Sequence, residues 1–135
     1  MRDNTEWRSQ FIERLTGFAV SIIMLANKLP KTPAGFAIAN QIIRSGTSVG
    51  ANFVESQDAS SAKDFIQKLS ISLREARETF YWLKVIEKSG LLSSIEINKD
   101  LDECNQVIAI LVKSIKSSKK NAEIRNEKGD LKNKK

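Results

Sequence analysis

The stretch TPAGFAIANQIIRSGTSVGANFVES, Thr32 to Ser56, has two readings that lead to different folds. Gly46 and Gly50 each disfavour a helix by about 1 kcal/mol relative to alanine, and Ser45–Gly46 has the composition of a turn. The opposing signal is phase. At 100° per residue, Ile38, Ile42, Ser45, Val49, Asn52, Phe53 and Ser56 share one face, and that stripe runs through both glycines without a shift. Thr32 has the side chain of an N-cap, and Pro33 behind it suits a first helical position. The expectation is one helix from Pro33 to about Ser56.

The neighbouring segments carry the same period. Before it, Trp7, Phe11, Leu15, Phe18, Ile22, Leu25 and Leu29 are spaced by threes and fours, which predicts a helix from about Asn4 or Thr5 to Leu29, stopped by Pro30. Ile12, Ala19, Ile23 and Ala26 widen its stripe. After it, a helix is expected from Ser60 or Ser61 to Ser89, with Gly90 as its stop and Phe65, Ile66, Leu69, Leu73, Ala76, Phe80 and Leu83 inward. A fourth starts at Ser93, where Glu96 completes a capping box, and carries the heptad seam Ile97, Leu101, Cys104, Ile108, Leu111, Ile115. Short links between long helices force antiparallel neighbours. The chain is therefore read as an all-α, up-down-up-down four-helix bundle over residues 1–116. From residue 117 to 135 the apolar period stops, and a basic, disordered tail is expected.

Composition excludes several classes of function. Histidine is absent and Cys104 is the one cysteine, so a structural zinc site, an internal disulfide and a histidine-based catalytic triad are all excluded. No catalytic residue, cofactor site or metal site is expected. The longest uncharged run, between Arg14 and Lys28, is 13 residues, short of the about 20 needed to cross a bilayer. No membrane span and no signal peptide are read, so a cytoplasmic location is expected. The net charge is +6, of which residues 117–135 hold +4.

A monomeric bundle needs one apolar stripe per helix, and two helices carry more. Phe36, Ile43, Thr47, Gly50 and Val54 form a second face on the second helix, and Ile71 and Trp82 lie roughly opposite the core stripe of the third. Apolar surplus of this kind marks an interface. Ile43, Gly46, Gly50, Val54, Ile71 and Trp82 are the expected oligomer contacts, with the glycines letting another backbone approach. The alternative is that Trp82 caps one end of the core and the glycines tolerate a kink.

The segment Gln41 to Phe53, QIIRSGTSVGANF, resembles a signature of the bacterial four helix bundle protein family, also called the 23S ribosomal RNA intervening-sequence protein family. Asp64-Phe65-Ile66, Lys68-Leu69, Ile71 and then Glu75-Ala76-Arg77-Glu78-Thr79, Tyr81-Trp82-Leu83 resemble its second signature. The resemblance spans about Trp7 to Ile115. It departs at Asn52-Phe53-Val54-Glu55-Ser56, where family members often read Asn-Tyr-Arg-Glu-Ala. It implies a homopentameric ring, an association with inserted ribosomal RNA segments, and a distant similarity to accessory proteins of reverse transcriptases in diversity-generating elements.

Two residue groups could carry function. Arg44, Asn52, Glu55, Glu75 and Glu78 are the polar residues of the two signatures. They suit an arginine–carboxylate network tying helices or subunits together better than a cation site. Lys113, Lys116, Lys119, Lys120 and Arg125 gather where the fourth helix ends. They are the candidates for RNA or DNA backbone contact, with Lys128, Lys132, Lys134 and Lys135 beyond them. Tyr81 and Trp82 could stack on bases, though packing suits their spacing better. The expected function is a non-enzymatic, homo-oligomeric module that binds nucleic acid non-specifically; the alternative is a protein-interaction scaffold with no nucleic-acid role.

Overall fold

The computed structural model describes residues 5–133, with side chains through residue 129. Asn4, one of the two expected helix starts, and Lys134 and Lys135 lie outside the described residues, and of Lys132 only the backbone is described. Four helices account for most of the described residues: α1 Thr5–Asn27, α2 Pro33–Ser56, α3 Ala62–Ser89 and α4 Ser94–Asn133. Each packs on its sequence neighbour, and α1 closes the bundle against α4 along the thinnest of the four seams.

The helix starts follow local chemistry. Thr32 is extended (φ −125°, ψ 165°) and its Oγ1 accepts the Gly35 N–H at 3.1 Å, with Pro33 opening α2. Ser61 caps α3 by accepting the Asp64 N–H at 3.0 Å. Ser93 and Glu96 form the expected reciprocal box, each accepting the other's backbone N–H. The Ser93 N–H, and then the Ser93 hydroxyl, donate to the Glu96 carboxylate and lower its pKa. Gly90 ends α3 in the left-handed region at φ 72°. Helix α1 stops at Asn27 rather than Leu29, as Lys28 and Leu29 tighten into i→i−3 bonds before Pro30.

The inward faces are close to the expected ones on α1 and α2. On α3 the face is rotated: Leu69, Ser72, Ala76, Thr79, Leu83 and Ile86 are buried, while Phe65, Ile66, Leu73 and Phe80 are half-buried. The cause is a small-residue seam. Ser72 Oγ donates to Val49 O at 2.7 Å, Thr79 Oγ1 lies 2.9 Å from Ser45 Oγ, and Cys104 Sγ donates to Ala76 O at 3.3 Å. These short side chains let α2, α3 and α4 approach closely, and their hydroxyls find partners without water.

Burial pushes the Cys104 thiol from its ordinary 9.0 up to about 12, with the Asp100 and Glu103 carboxylates adding to it. At pH 8 the native protein is expected to leave Ellman's reagent unreacted, and the unfolded chain to react fully. Because the folded thiol keeps its proton where the unfolded one loses it, stability should fall as pH rises from about 9 toward 12.

Helix α1 is the one described helix long and apolar enough, by length and composition, to cross a membrane. Counting only uncharged runs missed this. Its apolar stripe nonetheless serves the bundle: Phe11, Leu15, Phe18, Ile22, Leu25 and Ala26 are buried.

The tail expectation is corrected for the described residues. Helix α4 continues past Lys116 to Asn133 instead of dissolving. Its 40 residues span about 60 Å at 1.5 Å per residue, against about 42 Å for the 28-residue α3, so roughly 18 Å projects past the bundle. An extension grown from a packed helix needs no new nucleus, and Lys119, Lys120, Ala122, Glu123 and Arg125 are all good helix formers.

Candidate nucleic-acid interface and apolar faces

The five signature polar residues do not form one network. Arg44 reaches from α2 to two carboxylates of α3, Glu75 at 3.2 Å and Glu78 in direct contact, and its side chain is 49% exposed. That clamp ties α2 to α3, and at such exposure contributes no more than about 1 kcal/mol. Glu55 is elsewhere, paired with Lys68 at 3.3 Å. Asn52 donates to Ser48 O at 2.8 Å within α2. Among the described residues no three of His, Cys, Asp and Glu gather as a metal-binding group.

An ion pair that sequence reading missed closes the α1–α4 seam. Arg14 donates to both carboxylate oxygens of Glu103, at 2.9 and 2.7 Å, and to Gln106 at 2.8 Å. The hydrogen bond to Glu103 raises the Arg14 pKa. Nearby, Ser21 Oγ donates to the buried Asp100 carboxylate at 2.5 Å. No local pattern marks these partners, which lie 79 to 92 positions apart.

The expected oligomer contacts divide. Gly46 and Gly50 do admit a close backbone approach, but the approaching helix is α1 of the same chain. A Cβ on Gly46 would lie 2.8 Å from Ile22 Cγ2, and one on Gly50 would lie 3.3 Å from Leu15 Cβ. The glycines thus face α1 of the same chain, and this internal seam accounts for their small size. Ile43, Ile71 and Trp82 are half-buried, with Ile43 and Trp82 packed on the core. The Trp82 Nε1–H is buried with no acceptor among the described residues. Val54 remains exposed at 45%, as does Phe36 at 55%.

Further exposed apolar surface lies on α1, where Val20 (51%), Ile23 (38%) and Met24 (61%) face outward. On α2, Phe36 and Val54 stay exposed beside the half-buried Ile43, so the apolar surplus belongs to α1 and α2 more than to α3.

All five cationic candidates, Lys113, Lys116, Lys119, Lys120 and Arg125, are exposed on α4, and none forms an ion pair with a described residue. Lys113, Lys116 and Lys120, at i, i+3 and i+7, share one face; Lys119 is 60° round the helix, and Arg125 flanks the opposite side. A groove of about 760 Å³ opens at the end of the bundle, between the start of α1, the end of α2, the start of α3 and the stretch of α4 from Ile110 to Arg125. Lys113 and Arg125 line it from α4, and Trp7 and Arg8 from α1. Trp7, expected in the core stripe, is 45% exposed. It lies at the end of that stripe, where no fourth wall covers it.

Residues 8–113 match the sequence model of the 23S rRNA-intervening sequence protein family. The chain belongs to that family. Among solved structures it is similar to a protein of unknown function from the S23 ribosomal protein family of Bacteroides thetaiotaomicron. The two share 35% identity with a TM-score of 0.73, over 78% of this chain and 97% of that one. No curated protein matches the chain. The 23S rRNA-intervening sequence protein match ends at Lys113, so Lys116, Lys119, Lys120 and Arg125 lie beyond the region shared with the family.

Proposed function

We propose that this chain is a non-enzymatic, self-associating helical bundle that holds nucleic acid by its phosphate backbone. The observation that carries the reading is the row of exposed, unpaired cations along α4, running from Lys113 beside the bundle to Arg125 on the projecting end. The backbone that carries these cations is already helical, so only side-chain freedom is lost on meeting phosphates, and each contact releases a counterion. Self-association, as the five-membered ring that the family resemblance implies, would multiply that field. The apolar surface of Val20, Ile23, Met24, Phe36 and Val54 supports such an assembly. The reading as a non-enzyme rests on the lack of histidine, the buried Cys104 and the engagement of Glu75 and Glu78 by Arg44.

Fluorescence anisotropy with a generic RNA tests the reading. Affinity is expected to fall roughly 100-fold between 50 and 200 mM salt, as neutralising four or five phosphates requires. The full-length Lys116→Gln/Lys119→Gln/Lys120→Gln variant should bind more weakly, with a shallower salt slope. Light scattering reports the mass in the same buffer. The second reading, a protein-interaction scaffold, is favoured by the same α1–α2 apolar surface. It prevails if the wild-type chain shows no affinity for RNA or DNA at low salt.

A further inference from the structure

The groove lies at the end of the bundle where the start of α1, the end of α2, the start of α3 and α4 meet. Three cations line it, Arg8, Lys113 and Arg125, and none is paired with a described residue; no Asp or Glu lines it. Uncompensated positive charge facing one concavity attracts an anion. Trp7 forms part of the same wall. Its ring is stacked on Phe11 (centroids 5.3 Å apart, planes 18° apart) and meets the Phe53 ring edge-on at 6.3 Å. A tryptophan held by two buried phenylalanines yet 45% exposed is a pre-oriented aromatic platform. Ser117 and Asn121, on the α4 wall, make no side-chain hydrogen bond with a described residue and are free to meet polar edges.

We infer that this groove binds single-stranded nucleic acid, with a base stacked on Trp7 and flanking phosphates held by Arg8, Lys113 and Arg125. Duplex is disfavoured because its bases are already stacked on one another, leaving no free face for the indole. A volume of about 760 Å³ lies within the range of ligand clefts, roughly 300–1,000 Å³, and suits one or two nucleotides rather than a double helix. The heptad seam of α4 explains the groove's charge. In steps of three and four the seam continues from buried Leu111 and Ile115 through half-buried Ser118 and Ala122 to exposed Arg125, so the spacing persists while the side chains change from apolar to small and then cationic. This inference rests on the proposed nucleic-acid role; Lys113 belongs to the Lys116–Lys120 face as well, whereas Trp7, Arg8 and Arg125 lie off it.

The test uses the full chain carrying Trp82→Phe, so that Trp7 is the sole indole reporter, with oligouridylate and a duplex RNA of equal length as probes. Oligouridylate is expected to quench Trp7 emission and to bind more tightly than duplex. Trp7→Leu, which keeps an apolar cover over Phe11 and Phe53, should weaken single-strand binding by roughly 5- to 150-fold, the range for one stacked base, and leave duplex binding unchanged. Arg8→Gln/Arg125→Gln should weaken it further, while circular dichroism shows the fold intact. Equal affinity for both probes, with unquenched Trp7 and no effect of Trp7→Leu, overturns the groove while leaving the salt-dependent reading standing. Absence of all nucleic-acid binding overturns both. Trp7 emission that changes with protein concentration alone would mean that a second copy fills the groove, and would also overturn it.

Discussion

Gly35→Ala is expected to lower the melting temperature by on the order of 10 °C, a loss of roughly 3 kcal/mol. Gly35 lies in the first turn of α2, and the turn from α1 folds back over it. An added Cβ would lie 1.8 Å from the Pro30 carbonyl oxygen and 2.9 Å from its carbonyl carbon. Those are backbone atoms next to a proline ring, so the collision is relieved only by moving the α1–α2 connection. That movement also disturbs the Thr32 cap, which accepts the Gly35 N–H at 3.1 Å and is itself worth about 1 kcal/mol. The better helix propensity of alanine returns about 1 kcal/mol and does not compensate. Gly17 provides the control. It is exposed within α1, a Cβ there would meet nothing within 4 Å, and Gly17→Ala should raise the melting temperature by a few degrees. Thermal unfolding followed by circular dichroism measures both. A Gly35→Ala protein as stable as wild type would mean that the α1–α2 turn does not sit over α2 as described.

Phe53→Ala is expected to cost about 3–5 kcal/mol in urea unfolding. Phe53 is 1% exposed and meets the Phe11 ring edge-on at 4.8 Å, so its loss leaves a cavity between α1 and α2. The cluster Trp7–Phe11–Phe53 is what fastens the first turns of α1 to the last turns of α2. Trp7 emission should therefore shift to the red in the native variant, even where the fold persists. A loss below about 1 kcal/mol with unchanged emission would contradict the placement of this cluster.

The two predictions differ in how visible they were in the sequence. Phe53 stands on a stripe that the 3.6-residue period marks without any structure. Gly35 does not: in sequence it is a glycine near a helix start, and nothing local says that a carbonyl five residues earlier will sit against it. Gly46 and Gly50 are the intermediate case. Their spacing correctly announced a close approach, yet it could not say whether the approaching helix came from the same chain or another. Trp7 shows the same ambiguity. Its phase placed it on the inner face of α1, but phase says nothing about whether a neighbouring helix extends far enough to cover it. The α3 face was misplaced by roughly 50° because Ser72 and Thr79 look polar until Val49 O and Ser45 Oγ are seen to satisfy them.

The order of the amino acids alone accounted for the four helices, their caps, their antiparallel course and the exclusion of histidine chemistry. Each follows from interactions within a few residues or from composition. Packing was needed to show which cations stay unpaired, where the glycine seam closes, that α4 runs on as a helix, and that Trp7 and Arg125 share a groove. Those facts depend on contacts between positions up to about a hundred residues apart, on which local propensity and periodicity carry no information.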